Sequence, residues 1–333
     1  MTSNSIVFVG PRRVELTQRE IPEPGEREFT IQTHVTLMSM GTELICYRGE
    51  SDPGTHWHGW VNYPFYPGYS CVGKVIKIGK SVKEFSEGDR VFCTLSHSQF
   101  NNVSADWGNV VKLPDGISDE EGAWCKLATI AQTGVRQAEH AMGDIAVIIG
   151  LGPLGQLITQ YLRLLGLREI LVIDQVQPRL DRAMAHGATA AFCGSAENAK
   201  DFVINHTDGV LADVVYDVTG YYAVFPMALP LARRFGKVVI QGDSPHPSKQ
   251  HLTHDVLTRQ LRVLGSHNEN LPPEYAHWTA KKQSLLFLQY VQRKQMRVSD
   301  LITHRFDPKK AGEVYAQLDR ERGDSAGVIF DWR

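Results

Sequence analysis

Long apolar runs are missing from this 333-residue chain. No stretch approaches the roughly 20 residues that a bilayer-spanning helix needs, which argues against a membrane protein. Neither sign of charge dominates: 35 Lys and Arg residues face 37 Asp and Glu, a formal net charge of −2. That balance leaves no basic footprint for nucleic acid or an anionic membrane. Cysteine is sparse and unpatterned. Cys46, Cys71, Cys93, Cys125 and Cys193 are scattered and never spaced CxxC, as expected of reduced thiols rather than a disulfide framework or a zinc knuckle. The first residues, MTSNSIVFVGPRRVEL, lack a basic segment followed by an apolar one, so no secretory signal is expected and the expected location is the cytoplasm. Internal repeats and low-complexity tracts are absent too. What remains is an ordinary composition, 42% hydrophobic and 22% charged, long enough for two domains that each bury a core.

Against this plain background one stretch stands out. From Asp144 to Asp174 the chain reads DIAVIIGLGPLGQLITQYLRLLGLREILVID. A short apolar run ends in Gly150, Leu151, Gly152, Pro153, Leu154 and Gly155, a helix-like segment follows, and a second apolar run stops on Asp174. Each piece has a job in holding a dinucleotide. The first glycine makes the tight turn, the second lets the backbone approach a pyrophosphate, and the third lets the helix pack close on its strand. The helix N-terminus offers free N–H groups to the phosphates. Asp174 stands where a carboxylate accepts from both ribose hydroxyls of NAD and repels the extra phosphate of NADP. The expected cofactor is therefore NAD.

The surrounding pattern supports that reading. Ser5–Val9, Phe29–Leu37 and Val72–Ile78 are short β-branched runs punctuated by glycine turns. From Asp119 the pattern turns helical, and from Asp144 strands and helices alternate. Leu154, Leu157, Ile158, Tyr161, Leu162 and Leu165 recur at helical spacing, and a second helix runs from Pro178 to His186 before Gly187. Asp213–Asp217, Lys237–Ile240 and Arg262–Leu264 read as further strands, and Ala280–Arg293 as an amphipathic helix. Alternation of this kind predicts a parallel sheet with right-handed crossovers. Arg179, Thr219, Gln241, Gly242, Ser266 and His267 fall after strands or near the acid, and join the expected cofactor site.

The order of motifs resembles the medium-chain dehydrogenase/reductase family of zinc alcohol and polyol dehydrogenases. The resemblance rests on Gly41-Thr42-Glu43, on Pro67-Gly68-Tyr69-Ser70-Cys71-Val72-Gly73-Lys74-Val75, on Gly88-Asp89-Arg90-Val91, on Lys112-Leu113-Pro114-Asp115-Gly116, on the glycine-rich unit and on Leu301-Ile302-Thr303-His304. It implies an α/β protein with a GroES-like β-barrel catalytic domain, 1–125 completed by 272–333, and a Rossmann doubly wound parallel sheet over 126–271. It also implies a homo-oligomer, dimer or tetramer, and a small-molecule substrate.

The departures carry as much information. Where zinc members have a cysteine before Gly-Thr-acid, this chain has Met40; where they have His-Glu it has Tyr69-Ser70; and their third ligand position falls on Lys126. A thioether, a phenol and an ammonium do not make a zinc site, and the four-cysteine lobe of many members is missing. No metal is expected, and the chain looks nearest to the zinc-less branch similar to bacteriochlorophyllide dehydrogenases. Without zinc another group must take the hydroxyl proton. Tyr69 is the expected acid/base, with Lys126 lowering its pKa and Thr42 relaying toward the ribose. Two alternatives stand beside it: Tyr69 merely fills the vacated cavity while Lys126 pairs with Glu43, or His97 is the acid/base. The 49–66 insertion, GESDPGTHWHGWVNYPFY, concentrates aromatic rings, and Trp57 and Trp60 are expected with Met40 and Glu43 along the substrate pocket. The expected activity is zinc-independent, NAD-dependent oxidation of a secondary alcohol of a sugar, cyclitol or polyol. A zinc-less quinone or enone reductase and a catalytically decayed NAD-binding protein are the rival readings.

Overall fold

A computed structural model describes residues 1–333. The chain divides into two units, Met1–Leu127 with Trp278–Arg333, and Ala128–His277. The first division falls inside the helix Cys125–Gln137, so Lys126 belongs to the first unit.

One strand organises the first unit. Glu28–Leu37 buries nearly every side chain and leaves Gln32 exposed. Its first half pairs with Phe100–Ser104 and its end with Gly327–Asp331, while Cys71–Ile78 runs along its opposite edge. Register shifts at Thr30/Ile31 and Thr33/Val35 bend the strand, as bulges do, and let it serve three partners. The resulting seven-stranded sheet runs Ile302–Phe306, Gly327–Asp331, Glu28–Leu37, Cys71–Ile78, Arg90–Cys93 and Val110–Lys112, with Phe100–Ser104 attached to the long strand. Phe29, Ile31, Val75, Val91, Val103 and Val110 fill one core. A hairpin, Thr2–Gly10 with Arg13–Glu20, adds Ile6 and Phe8 to a second core shared with Tyr47, Trp57, Tyr315 and Phe330.

The second unit is a six-stranded parallel sheet in the order Ala190–Cys193, Glu169–Asp174, Ile145–Ile149, Ala212–Asp217, Ala232–Ile240, Arg262–Gly265. Ile145–Ile149 is buried throughout, the pattern of a strand covered on both faces. The expected doubly wound sheet is observed. One strand is longer than expected: it begins at Ala232 rather than Lys237, because Phe235 turns to φ +61° before Gly236 and the polar first half hides its continuity. Strand order reverses between Ile145–Ile149 and Ala212–Asp217, and sheets of this kind bind ligands at the carboxyl ends beside such a point.

At the amino end of this sheet His140 is buried, its Nε2 lying 2.7 Å from the Tyr216 hydroxyl and its Nδ1 3.4 Å from Asp144. Burial depresses the imidazole to about 4, against the pull of Asp144. The folded ring therefore refuses a proton that the unfolded chain accepts below about 6.5. Wild-type protein is expected to lose stability as pH falls from 6.5 toward 4, and His140→Gln to lose less over that window. Denaturant unfolding at pH 7, 5.5 and 4.5 measures the difference; parallel slopes would contradict the assignment.

Candidate active site

The dinucleotide cradle lies at the reversal point of the second unit. Gly150 takes φ +94°, and a Cβ there would fall 2.8 Å from the Thr219 methyl. At Gly155 a Cβ would stand 2.1 Å from the Gly150 carbonyl oxygen, whereas Gly152 faces open space. The three glycines thus do three different things: one turns, one admits helix against turn, and one leaves room. Gly152 also caps the Pro153–Leu165 helix without a side chain, so the first N–H groups stay open for an anion. Asp174 is buried at the end of its strand, its two oxygens accepting from the N–H groups of Leu151 at 2.7 Å and Val176 at 2.9 Å. Arg179 brings a guanidinium nitrogen to 3.9 Å from the same carboxylate.

Farther along the carboxyl edge, Asp217 accepts from the Thr219 hydroxyl at 2.7 Å and its N–H at 3.0 Å. Burial pushes this carboxyl up to about 6 despite those bonds. Gln241 donates to the Ile130 carbonyl at 3.1 Å, but its Oε1 and the Ser266 hydroxyl are buried without partners. Both face Gly134, where a Cβ would overlap Gln241 Oε1. Gly242 packs its backbone on Gly220, and His267 is exposed. The cradle fits a nicotinamide dinucleotide.

In the first unit three hydroxyls close a ring at the start of the Met40–Arg48 helix. Tyr69 donates to Ser39 Oγ, Ser39 lies 3.4 Å from Thr42 Oγ1, and Thr42 lies 3.1 Å from the Tyr69 hydroxyl. Tyr69 retains some accessible surface although protein surrounds most of it. Burial pushes the phenol up to about 12, outweighing the bonds to Ser39 and Thr42, and Glu43 adds to the rise. The expected lowering by Lys126 is therefore corrected. Lys126 is buried but is not a bonding partner of Tyr69, whose hydroxyl is held by neutral groups.

Glu43 does not pair with Lys126 either. Its carboxylate takes the Ser39 N–H at 2.7 Å, His97 Nε2 at 2.9 Å and the Tyr315 hydroxyl. His97 is wholly buried, edge-on to Phe330, with its Nε2 engaged by Glu43 rather than open to a substrate. Met40 and Trp57 sit in the second apolar core, while Trp60, 47% exposed, keeps a free face. Sequence reasoning missed Ser39 and Tyr315. Ser39 carried a local signal as the polar residue before a helix start; Tyr315 carried none.

Comparison with known proteins accords with this geometry. A family described as "Alcohol dehydrogenase GroES-like domain" matches residues 27–140, and one described as "Zinc-binding dehydrogenase" matches 153–281. The chain belongs to the zinc-type alcohol dehydrogenase-like, medium-chain family. Human sorbitol dehydrogenase is 25% identical over 360 residues, spanning 96% of this chain and 93% of that protein. Among solved structures, an Escherichia coli oxidoreductase/dehydrogenase of unknown specificity superposes with TM-score 0.85 at 19% identity, covering 99% of both chains. A zinc-binding dehydrogenase homologue from Sinorhizobium meliloti 1021, bound to NADP, gives 0.81 at 20%, again over 99% of both.

The family's metal does not fit here. Met40 is packed among hydrocarbons, burial keeps Tyr69 a phenol, and the third position is a lysine, Lys126, which is not a usual zinc ligand. The cradle gives the first test of the cofactor site: Gly155→Ala must push helix from turn, and is expected to weaken NADH binding at least roughly tenfold. Fluorescence titration reads this; unchanged affinity would contradict the assigned cradle.

Proposed function

We propose that this chain is an NAD-dependent dehydrogenase that interconverts a secondary alcohol of a sugar, cyclitol or polyol with its ketone, without zinc. The observation that carries the reading is the hydroxyl ring of Tyr69, Ser39 and Thr42, whose tyrosine falls at one of the positions where the resemblance implies a metal ligand. The relationship to sorbitol dehydrogenase supports a polyol-like substrate, and Asp174 supports NAD over NADP. Nicotinamide bound in the glycine cradle supplies the hydride exchange.

The protein's share is proton management. Tyr69 is a neutral phenol at physiological pH, a form that gives a proton to a developing alkoxide. Ser39 and Thr42 then re-form their bonds around the phenolate, so charge is spread over a prearranged set of donors. The same set takes a proton when an alcohol is oxidised, at a cost set by the raised pKa. Ketone reduction is accordingly favoured near neutrality and alcohol oxidation at alkaline pH. Trp60 offers an apolar face on which a sugar ring stacks.

Two measurements test this reading. Tyr69→Phe keeps the ring in place but removes the proton, and kcat is expected to fall about 100-fold or more; near wild-type kcat at every pH would exclude the phenol. Asp174→Ser removes the carboxylate beside the ribose and is expected to shift preference from NAD toward NADP in kcat/KM, whereas an unaltered ratio would exclude Asp174 as the selector.

A further inference from the structure

The Met40–Arg48 helix begins without the cap its sequence offers. Ser39 occupies the N-cap, where a serine hydroxyl ordinarily accepts from an N–H two or three residues on, yet it makes no such bond. Its hydroxyl serves Tyr69 and Thr42 instead. Its backbone N–H is taken by Glu43 Oε1 at 2.7 Å, and the Glu43 N–H returns to the Ser39 carbonyl at 2.8 Å. The helix start is thus fastened from below, which frees the serine side chain for the ring.

Glu43 is itself held. His97 Nε2 stands 2.9 Å from Oε2, the Tyr315 hydroxyl donates to the same oxygen, and all three side chains have at most 1% of their surface exposed. A buried carboxylate is costly unless several donors reach it, and this one has three. His97 Nδ1 is buried without a partner. The imidazole therefore spends its hydrogen bonding on Glu43 through Nε2. Gly68 takes φ +95° directly over the imidazole, and a Cβ there would meet the ring at 2.8 Å, which places His97 beneath the turn that leads into Tyr69.

We propose that Glu43, supported by His97 and Tyr315, is the positioning residue for proton transfer: it grips the Ser39 backbone so that the serine hydroxyl is spent on Tyr69. Besides Glu43, the titratable group of that helix acting on Tyr69 is Cys46; burial leaves Cys46 and Tyr315 protonated, so Glu43 is the charge that adds to the rise burial sets. The proposal rests on the reading of Tyr69 as proton donor.

A double-mutant cycle with a spectroscopic arm tests it on the full-length protein. Glu43→Gln is expected to lower kcat roughly tenfold or more while NADH affinity stays within about twofold, and Tyr69→Phe with Glu43→Gln to be no slower than Tyr69→Phe alone. In protein carrying ¹³C-labelled tyrosine, the Tyr69 resonance is expected to stay phenolic up to pH 10.5 in wild type. Its titration should move down by about one pH unit in Glu43→Gln. His97→Gln, which keeps an N–H at similar reach, should retain most activity that His97→Leu loses. Multiplying losses in the cycle, or a Tyr69 titration unmoved by Glu43→Gln, would overturn the proposal. If Tyr69→Phe itself keeps full activity, the proton-donor reading fails, and the resonance still decides whether Glu43 governs Tyr69. Should Glu43→Gln fail to fold, Tyr315→Phe, which removes a single donor, carries the same comparison.

Discussion

A single buried carboxylate ties together separate parts of the first unit. Glu43 gathers a backbone N–H, an imidazole and a phenol from three separated parts of the first unit. The Met40–Arg48 helix, the loop carrying His97 and the carboxyl-terminal helix Ala311–Arg320 are all tied to its two oxygens. Removing any one donor leaves a charge under-solvated in an apolar core of aromatic rings, which is why the arrangement has one geometry rather than several. The hydroxyl ring above it inherits that rigidity. Its members are common residues, and what makes them chemically useful is that none can rotate away.

The two units solve different problems with different materials. In the second, recognition is built from backbone and from what side chains leave out: a turn only glycine adopts comfortably, a helix end without a cap, and a contact of 2.1 Å to be avoided at Gly155. In the first, side chains are packed so closely that burial shifts their ordinary acidities. Tyr69 rises to about 12 because water is excluded more effectively than its two hydroxyl neighbours can offset. In the proposed reaction, exclusion of water and fixed dipoles take the place of a metal ion's charge.

The fold was legible in the sequence wherever physics acts locally. Periods of apolar residues marked the parallel strands, and the glycine spacing marked the cradle, because both follow from geometry within a few residues. The Ala232 strand start was hidden by a positive φ at Phe235, a conformation that residue type does not announce. The catalytic unit was harder to read for a different reason. Tyr69 and Lys126 were paired on chemistry alone, but a phenol's acidity depends on what surrounds it, and that surrounding comes from Ser39, Glu43 and Tyr315. Tyr315 lies 272 residues from Glu43 along the chain, and no local pattern connects them. His97 looked like a loop acid/base until its burial turned it into a support.

The central claim, that side-chain hydroxyls have taken over a metal's work, is tested most directly by counting metal in protein that turns over. Elemental analysis of purified enzyme, run alongside kcat on a polyol and ketone panel, gives the ratio of zinc to active sites. The account predicts full turnover with zinc far below one atom per chain, unchanged after exhaustive chelation. Turnover that rises and falls in proportion to bound zinc, reaching its maximum at one atom per chain, would contradict it.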